Sequence, residues 1–162
     1  MKKYILLIIM LITLYFGYSN KEENEVVINQ EEEVNNVDSL MVNMSSFNEK
    51  DMPLNEFLEG VLACEMPALF MEEALKSGVV AARTFYLYNY INNENYIPTS
   101  GGQCYITKKE LKIKWGSKYE EYLNKIKKVV KETKNEVIVY NDEVIEAFYF
   151  SMSNGYTEDA SN

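Results

Sequence analysis

The sequence predicts an α+β domain whose N-terminal half is mainly helical, and three observations predict it. Leu54, Phe57, Leu58, Val61 and Leu62 recur at the i, i+3, i+4, i+7, i+8 spacing of an amphipathic helix. A second stripe, Leu75, Val79, Ala82 and Phe85 or Tyr86, follows at the same period. Near the C-terminus, two β-branched and aromatic runs flank Asn141 and Asp142, the two-residue spacing of a tight hairpin turn.

Taken in chain order, Met1, Lys2 and Lys3 precede an apolar run from Tyr4 to Tyr18, the charged start and hydrophobic middle of an export signal with no small-x-small cleavage pattern after it. At about 1.5 Å per residue the run spans roughly 22 Å, which fits a short anchor or a signal core. The two lysines place the N-terminus in the cytoplasm and everything after Ser19 outside it, so the expected location is the cell membrane with the domain on the extracytoplasmic side. Residues 1–18 are therefore read as a signal or membrane anchor. Residues 19–50 are rich in Glu and Asn, poor in aromatics and without sustained period, and are read as an acidic flexible linker. What remains, 51–162, is about the size of one common single domain.

Within that domain the first helix is expected over 54–65. Pro67 has no N–H and disfavours helical geometry at Met66, so the helix stops near Cys64 or Glu65. Glu65 then lies at a C-terminal helix end beside Cys64, Met66 and Leu69, surroundings suited to a general acid, although a solvated acid at a helix end has the same pattern. The second helix is expected over 72–90, with Glu72 and Glu73 in its first turn and Gly78 inside it, a position where glycine costs roughly 1 kcal/mol against alanine. Asn92 to Gln103, with Pro98, Gly101 and Gly102, reads as a loop. Capping boxes at Thr107/Glu110 and Ser117/Glu120 open helices over 107–115 and 117–134, the latter carrying Tyr119, Leu123, Ile126 and Val130 on one side. A β-hairpin is expected over 136–151.

Composition excludes several chemistries. With no histidine, the chain builds neither a Ser-His-Asp nor a Cys-His nucleophile pair, nor a zinc site with imidazole ligands, so acid-base work falls to carboxylates. Neither metal nor cofactor is expected. Cys64 and Cys104 are the only cysteines; in an exported protein they form one disulfide if they meet, which the sequence does not decide. The net charge of -9 owes much to the acidic linker, whereas ten of the 16 basic residues lie between Lys108 and Lys134. That patch reads either as a solvated helix face or as a surface steering the domain toward anionic polymers or an acidic partner; nucleic acid is not an expected partner.

Two segments carry a resemblance. Leu54-Asn55-Glu56-Phe57-Leu58-Glu59-Gly60-Val61, Ala63-Cys64-Glu65-Met66-Pro67, Glu73-Ala74-Leu75-Lys76 and Val80-Ala81-Ala82-Arg83-Thr84-Phe85 resemble the signature of the SpoIID family and its LytB relatives. Ala147 to Glu158 is similar to that family's serine-rich segment, so the likeness covers most of the chain after about residue 50. Phe150 stands where the family has His, Asn154 where it has the first of two glycines, and Ser77-Gly78 where it has Ala-Gln. Family domains continue well beyond the serine-rich patch, so the resemblance implies a larger domain that is incomplete here.

The resemblance implies a lytic transglycosylase acting on denuded peptidoglycan strands during sporulation, in engulfment, with Glu65 as general acid and then base. It implies substrate contacts from Arg83, the alternative being an ordinary ion pair. Tyr149, Ser151, Ser153 and Thr157 would offer hydroxyls to a glycan and Gly155 a close backbone approach, against the plainer reading of this stretch as turn chemistry. Implied partners are the glycan strands, a wall amidase or endopeptidase, other membrane-anchored engulfment proteins, and the membrane through the N-terminal anchor. A non-catalytic glycan-binding or amidase-enhancer module and a truncated inactive fragment are the alternatives.

Overall fold

The computed structural model describes residues 36–93, 95–149 and 155. The anchor, most of the acidic linker, and Ser151, Ser153 and Thr157 lie outside the described residues.

The apolar stripe of the first helix forms α1, Leu54–Glu65, burying Leu54, Phe57, Leu58, Val61 and Leu62. Its C-cap, Met66, is extended (φ -129°, ψ 138°) while its N–H still donates to Leu62 O, the break that Pro67 requires. The second stripe forms α2, Glu72–Asn92, slightly longer than expected, with Leu75, Val79, Ala82 and Tyr86 inward. Gly78 is explained by packing: a Cβ there would collide with Met66 Sδ and press Leu62 Cδ1 at 3.3 Å, so its missing side chain seats the corner after α1 against α2.

Next, α3 (Lys108–Trp115) starts with a complete capping box, Glu110 N–H donating to Thr107 Oγ1 at 3.2 Å and Thr107 N–H to Glu110 Oε2 at 2.9 Å. The capping box expected at Ser117 does not form. Residues Gly116–Lys118 make a 3-10 turn instead, Gly116 taking φ 50°, and α4 (Tyr119–Glu132) begins without a side-chain cap. Helix α4 buries Tyr119, Leu123, Ile126 and Val130, the side the sequence assigns to the core, together with Val129.

Helices α1, α2 and α4 pack mutually, enclosing the main core, and a satellite cluster of Ala63, Leu111, Tyr119 and Leu123 seats α3. Among the described residues two small antiparallel sheets complete the α+β fold. In the first, β1 (Met41–Val42) pairs with β2 (Met52–Pro53), Met41 opposite Pro53 and Val42 opposite Met52. In the second, β3 (Val139–Tyr140) pairs with β4 (Glu143–Val144) around Asn141 (φ 51°) and Asp142 (φ 64°), the doubly positive φ of the tight hairpin turn. The hairpin is shorter than the 136–151 expected: its ladder is two residues a side, and the described residues past Ile145 belong to no strand.

The linker also differs from expectation. Residues 36–50 do not continue as a flexible spacer: Val37, Val42 and Met44 are fully buried in the core, with 3-10 turns at Val37–Ser39 and Ser45–Phe47. Elements of two or three residues are too short to show a period, so composition alone masked them.

Candidate functional site

Glu65 ends α1, half-buried, with its carboxyl turned across to the segment that follows the Gly101-Gly102 loop. There the backbone N–H of Cys104 donates to Glu65 Oε1 at 2.8 Å, and among the described residues Oε2 has no partner. The same two segments are joined covalently. Cys64 and Cys104 form a disulfide with Cα atoms 5.7 Å apart, closing a sequence separation of 40 residues, the pairing that sequence left undecided.

Close approach between these segments rests on Gly60. A Cβ at Gly60 would strike the Tyr105 ring and lie 2.8 Å from Ile106 O, so glycine lets the strip 104–106 lie directly on α1. With that clearance Tyr105 stacks on Phe57, centroids 5.4 Å apart and planes 14° apart, and meets Phe47 at 5.0 Å. On its other side the corner after α1 is held by two lysines of the basic stretch: Lys114 Nζ donates to Ala63 O at 3.1 Å and Lys125 Nζ to Ala68 O at 3.0 Å and to Phe70 O. Further basic residues form exposed ion pairs, Lys128 with Glu72 and Lys118 with Glu121, so much of this stretch is structural or solvated.

Tyr149 comes to the same site. Its ring packs on the core while Gln103 Nε2 donates to its hydroxyl oxygen at 3.2 Å. Burial pushes the Tyr149 hydroxyl up to about 12, the Gln103 hydrogen bond opposes that, and the Glu65 carboxylate adds to it. Consecutive residues of one segment thus hold both side chains, Gln103 bonding the Tyr149 hydroxyl and Cys104 the Glu65 carboxyl. Gly155 is exposed with φ 94°, a left-handed conformation that favours glycine.

Arg83 lies elsewhere. It is fully buried, and its bonds are to protein: Nε to Asp38 Oδ1 at 2.6 Å, Nη1 to Glu136 O at 3.1 Å and Nη2 to Val130 O at 3.4 Å. The expected substrate contact is replaced by a core ion pair joining the 37–39 turn to α2 and the end of α4. Helical phase explains this, because Arg83 stands four residues beyond Val79 on the inward side of α2.

The other carboxylates disperse. Glu72 pairs with Lys128 at 2.6 Å and Glu73 with Lys76 at 3.0 Å. Glu59, six residues before Glu65 and so on a different side of α1, borders a cavity of about 520 Å³ with Lys127, Lys131 and Lys134. Two residues that build this region escaped sequence reasoning. Asp38 sat in what composition read as linker, and Gln103 is a single amide after two glycines, a pattern with no periodic signal.

A family model described as SpoIID, stage II sporulation protein, matches residues 44–140. Stage II sporulation protein D of Bacillus subtilis (strain 168) is 43% identical over 119 residues, covering 68% of this chain and 35% of that protein. Its counterpart in Bacillus amyloliquefaciens is 40% identical over 124 residues, 72% of this chain and 36% of that protein. An amidase enhancer of Bacillus subtilis (strain 168) is 39% identical over 106 residues, 65% of this chain and 13% of that protein. The chain thus spans about a third of the length of the sporulation proteins it matches.

Proposed function

We propose that this chain, which belongs to the SpoIID family, is a lytic transglycosylase cutting the bond between N-acetylmuramic acid and N-acetylglucosamine in peptidoglycan strands stripped of their stem peptides, during engulfment in sporulation. The observation that carries this reading is the placement of Glu65: half-buried at the end of α1, with one carboxyl oxygen fixed by the Cys104 N–H and the other without a partner among the described residues.

In this reading the protonated Glu65 gives its proton to the glycosidic oxygen as the bond from C1 of the muramic acid breaks. The resulting carboxylate then takes the proton of that sugar's own 6-hydroxyl, whose oxygen bonds to C1. The product is a 1,6-anhydro sugar, and no water is consumed. One carboxyl serves both steps. Hydrolysis by the usual route needs a second carboxyl about 5 to 10 Å away; Glu72 and Glu73 are paired with lysines at the face between α2 and α4, and Glu59 faces the lysine-bordered cavity. The domain works on the outer face of the membrane, attached through residues 1–18, with glycan strands and wall amidases or endopeptidases as partners.

A second reading, a module that binds glycan or enhances an amidase without cutting, draws on the relative named amidase enhancer. Incubating the chain with denuded strands and weighing the products separates the two. 1,6-Anhydro-N-acetylmuramic acid ends that disappear with Glu65→Gln support the enzyme; wild-type and Glu65→Gln chains that bind the strands equally and release no anhydro ends support the module.

A further inference from the structure

Gln103 is fully buried, and the geometry around it fixes which way its amide points. A backbone carbonyl only accepts, so the group facing Ala82 O at 3.0 Å is Nε2. The other hydrogen of that nitrogen goes to the Tyr149 hydroxyl oxygen at 3.2 Å. Tyr149 is thereby the acceptor in this pair. Its own O–H hydrogen is left over, and among the described residues it donates to nothing.

A buried amide held this way is unusual in what it gives up. Among the described residues Gln103 Oε1 is buried with no hydrogen-bond partner, a cost that water or a rotated amide would relieve at an ordinary position. Here rotation is blocked, since it would set two acceptors, Ala82 O and Oε1, against each other. The segment is further immobilised by the neighbouring residue: Cys104 is tied to Cys64 through sulfur and to Glu65 through its N–H. Two consecutive residues thus hold the two functional side chains, Cys104 the carboxyl and Gln103 the phenol.

We propose that Gln103 is a positioning residue that makes Tyr149 a hydrogen-bond donor toward the glycan oxygens at Glu65, by occupying the hydroxyl's acceptor side from within the core. This rests on the glycan reading above. Gln103 itself touches no substrate; it acts through the sense of one hydrogen bond. With a hydrophobic residue in its place the Tyr149 hydroxyl would rotate freely, and with an acceptor it would turn inward and donate to position 103.

The test is a cycle of Gln103→Met, Tyr149→Phe and the double variant, in the full chain, with Gln103→Glu as a further variant that reverses the sense of the bond. Cleavage of denuded strands is measured beside the carbon-13 resonance of the Tyr149 ring carbon bearing the hydroxyl, assigned by its loss in Tyr149→Phe. The expected result is a rate loss of about tenfold for Gln103→Met when Tyr149 is present and none in the Tyr149→Phe background, since one positioned hydrogen bond is at stake. The resonance should move in Gln103→Met and further in Gln103→Glu. An unmoved resonance overturns the proposal, and so do losses that simply add, which mark a role in stability alone. If the wild-type chain binds the strands without cutting them, the transglycosylase reading falls while the same cycle, read on affinity, still decides the role of Gln103. Absence of both cutting and binding removes the glycan reading and this proposal with it, even if the resonance moves.

Discussion

Cys104 grips Glu65 twice over: its N–H donates to the carboxyl at 2.8 Å, and its sulfur is bonded to Cys64, the residue immediately before Glu65. The orientation of the candidate acid is thereby set by a segment 39 residues away in sequence, beyond anything helix α1 supplies on its own.

Removing the covalent part of that grip should cost stability first. Closing a loop of this length removes loop entropy from the unfolded chain worth about 4 kcal/mol, so the double change Cys64→Ala and Cys104→Ala is expected to lower the urea midpoint substantially, with a steeper slope because the unfolded chain is no longer held compact. Denaturation with and without reductant checks it, and a midpoint indifferent to reductant would count against a formed bridge.

Gly60→Ala should disturb both the fold and the site. The added methyl meets the Tyr105 ring and Ile106 O, the latter backbone at 2.8 Å, so strip 104–106 must lift from α1. Overpacking of this kind costs roughly 1–3 kcal/mol, and under the proposed transglycosylase reading cleavage should fall by more than the stability loss explains because the Cys104 N–H moves away from Glu65. Comparing rate and thermal midpoint in the same preparation tests this; a variant with wild-type midpoint and rate would refute the close approach.

Asp38→Ala should be among the most damaging single changes outside the site. It leaves the Arg83 guanidinium fully buried without its anion, a situation that costs about 3–5 kcal/mol. The pair Asp38→Ala with Arg83→Met should recover part of that loss, because no buried charge remains. Equilibrium unfolding of the three chains would show it, and a double variant no better than Asp38→Ala would argue that packing matters there more than charge.

Glu59 gives a prediction in pH. Burial holds its carboxyl above the ordinary 4.5, with Lys127 and Lys108 opposing. The unfolded chain titrates near the ordinary value, so just above it the folded chain binds the extra proton, and this carboxyl's contribution to stability falls as pH rises through the folded value. Glu59→Gln cannot ionise and is expected to raise the thermal midpoint at pH 7 while leaving it nearly unchanged near pH 4. An equal gain at both pH values would assign the effect to something other than titration.

Much of this was legible in the residues. The apolar stripes of α1, α2 and α4 set their buried sides, Pro67 set where α1 ends, and Thr107 with Glu110 set the start of α3, because helical period and capping chemistry are local. Asn141 and Asp142 marked the hairpin turn for the same reason. What escaped was non-local. Val37, Val42 and Met44 are buried because their segment packs against α1 in the shared core, and no local pattern announces that. Arg83 resembled a site residue through its neighbours in sequence, yet its phase on α2 turned it toward Asp38. Ser117 offered the right side chain for a cap, but Gly116 at positive φ diverted the chain into a 3-10 turn first. At the candidate site, Pro67 announced that Glu65 would end α1, whereas Gln103 became visible only through the atoms it touches.

The Asp38–Arg83 pair also determines how a mechanical load would travel. A pull arriving from the N-terminal side of Asn36 reaches this clasp before it reaches α1, and the clasp hands it to the middle of α2, to Val130 O near the end of α4 and to Glu136 O. The two-residue ladder of β1 and β2 would shear next. Tension entering at Asn36 is therefore shunted into the helical scaffold, and the bend after α1 is spared.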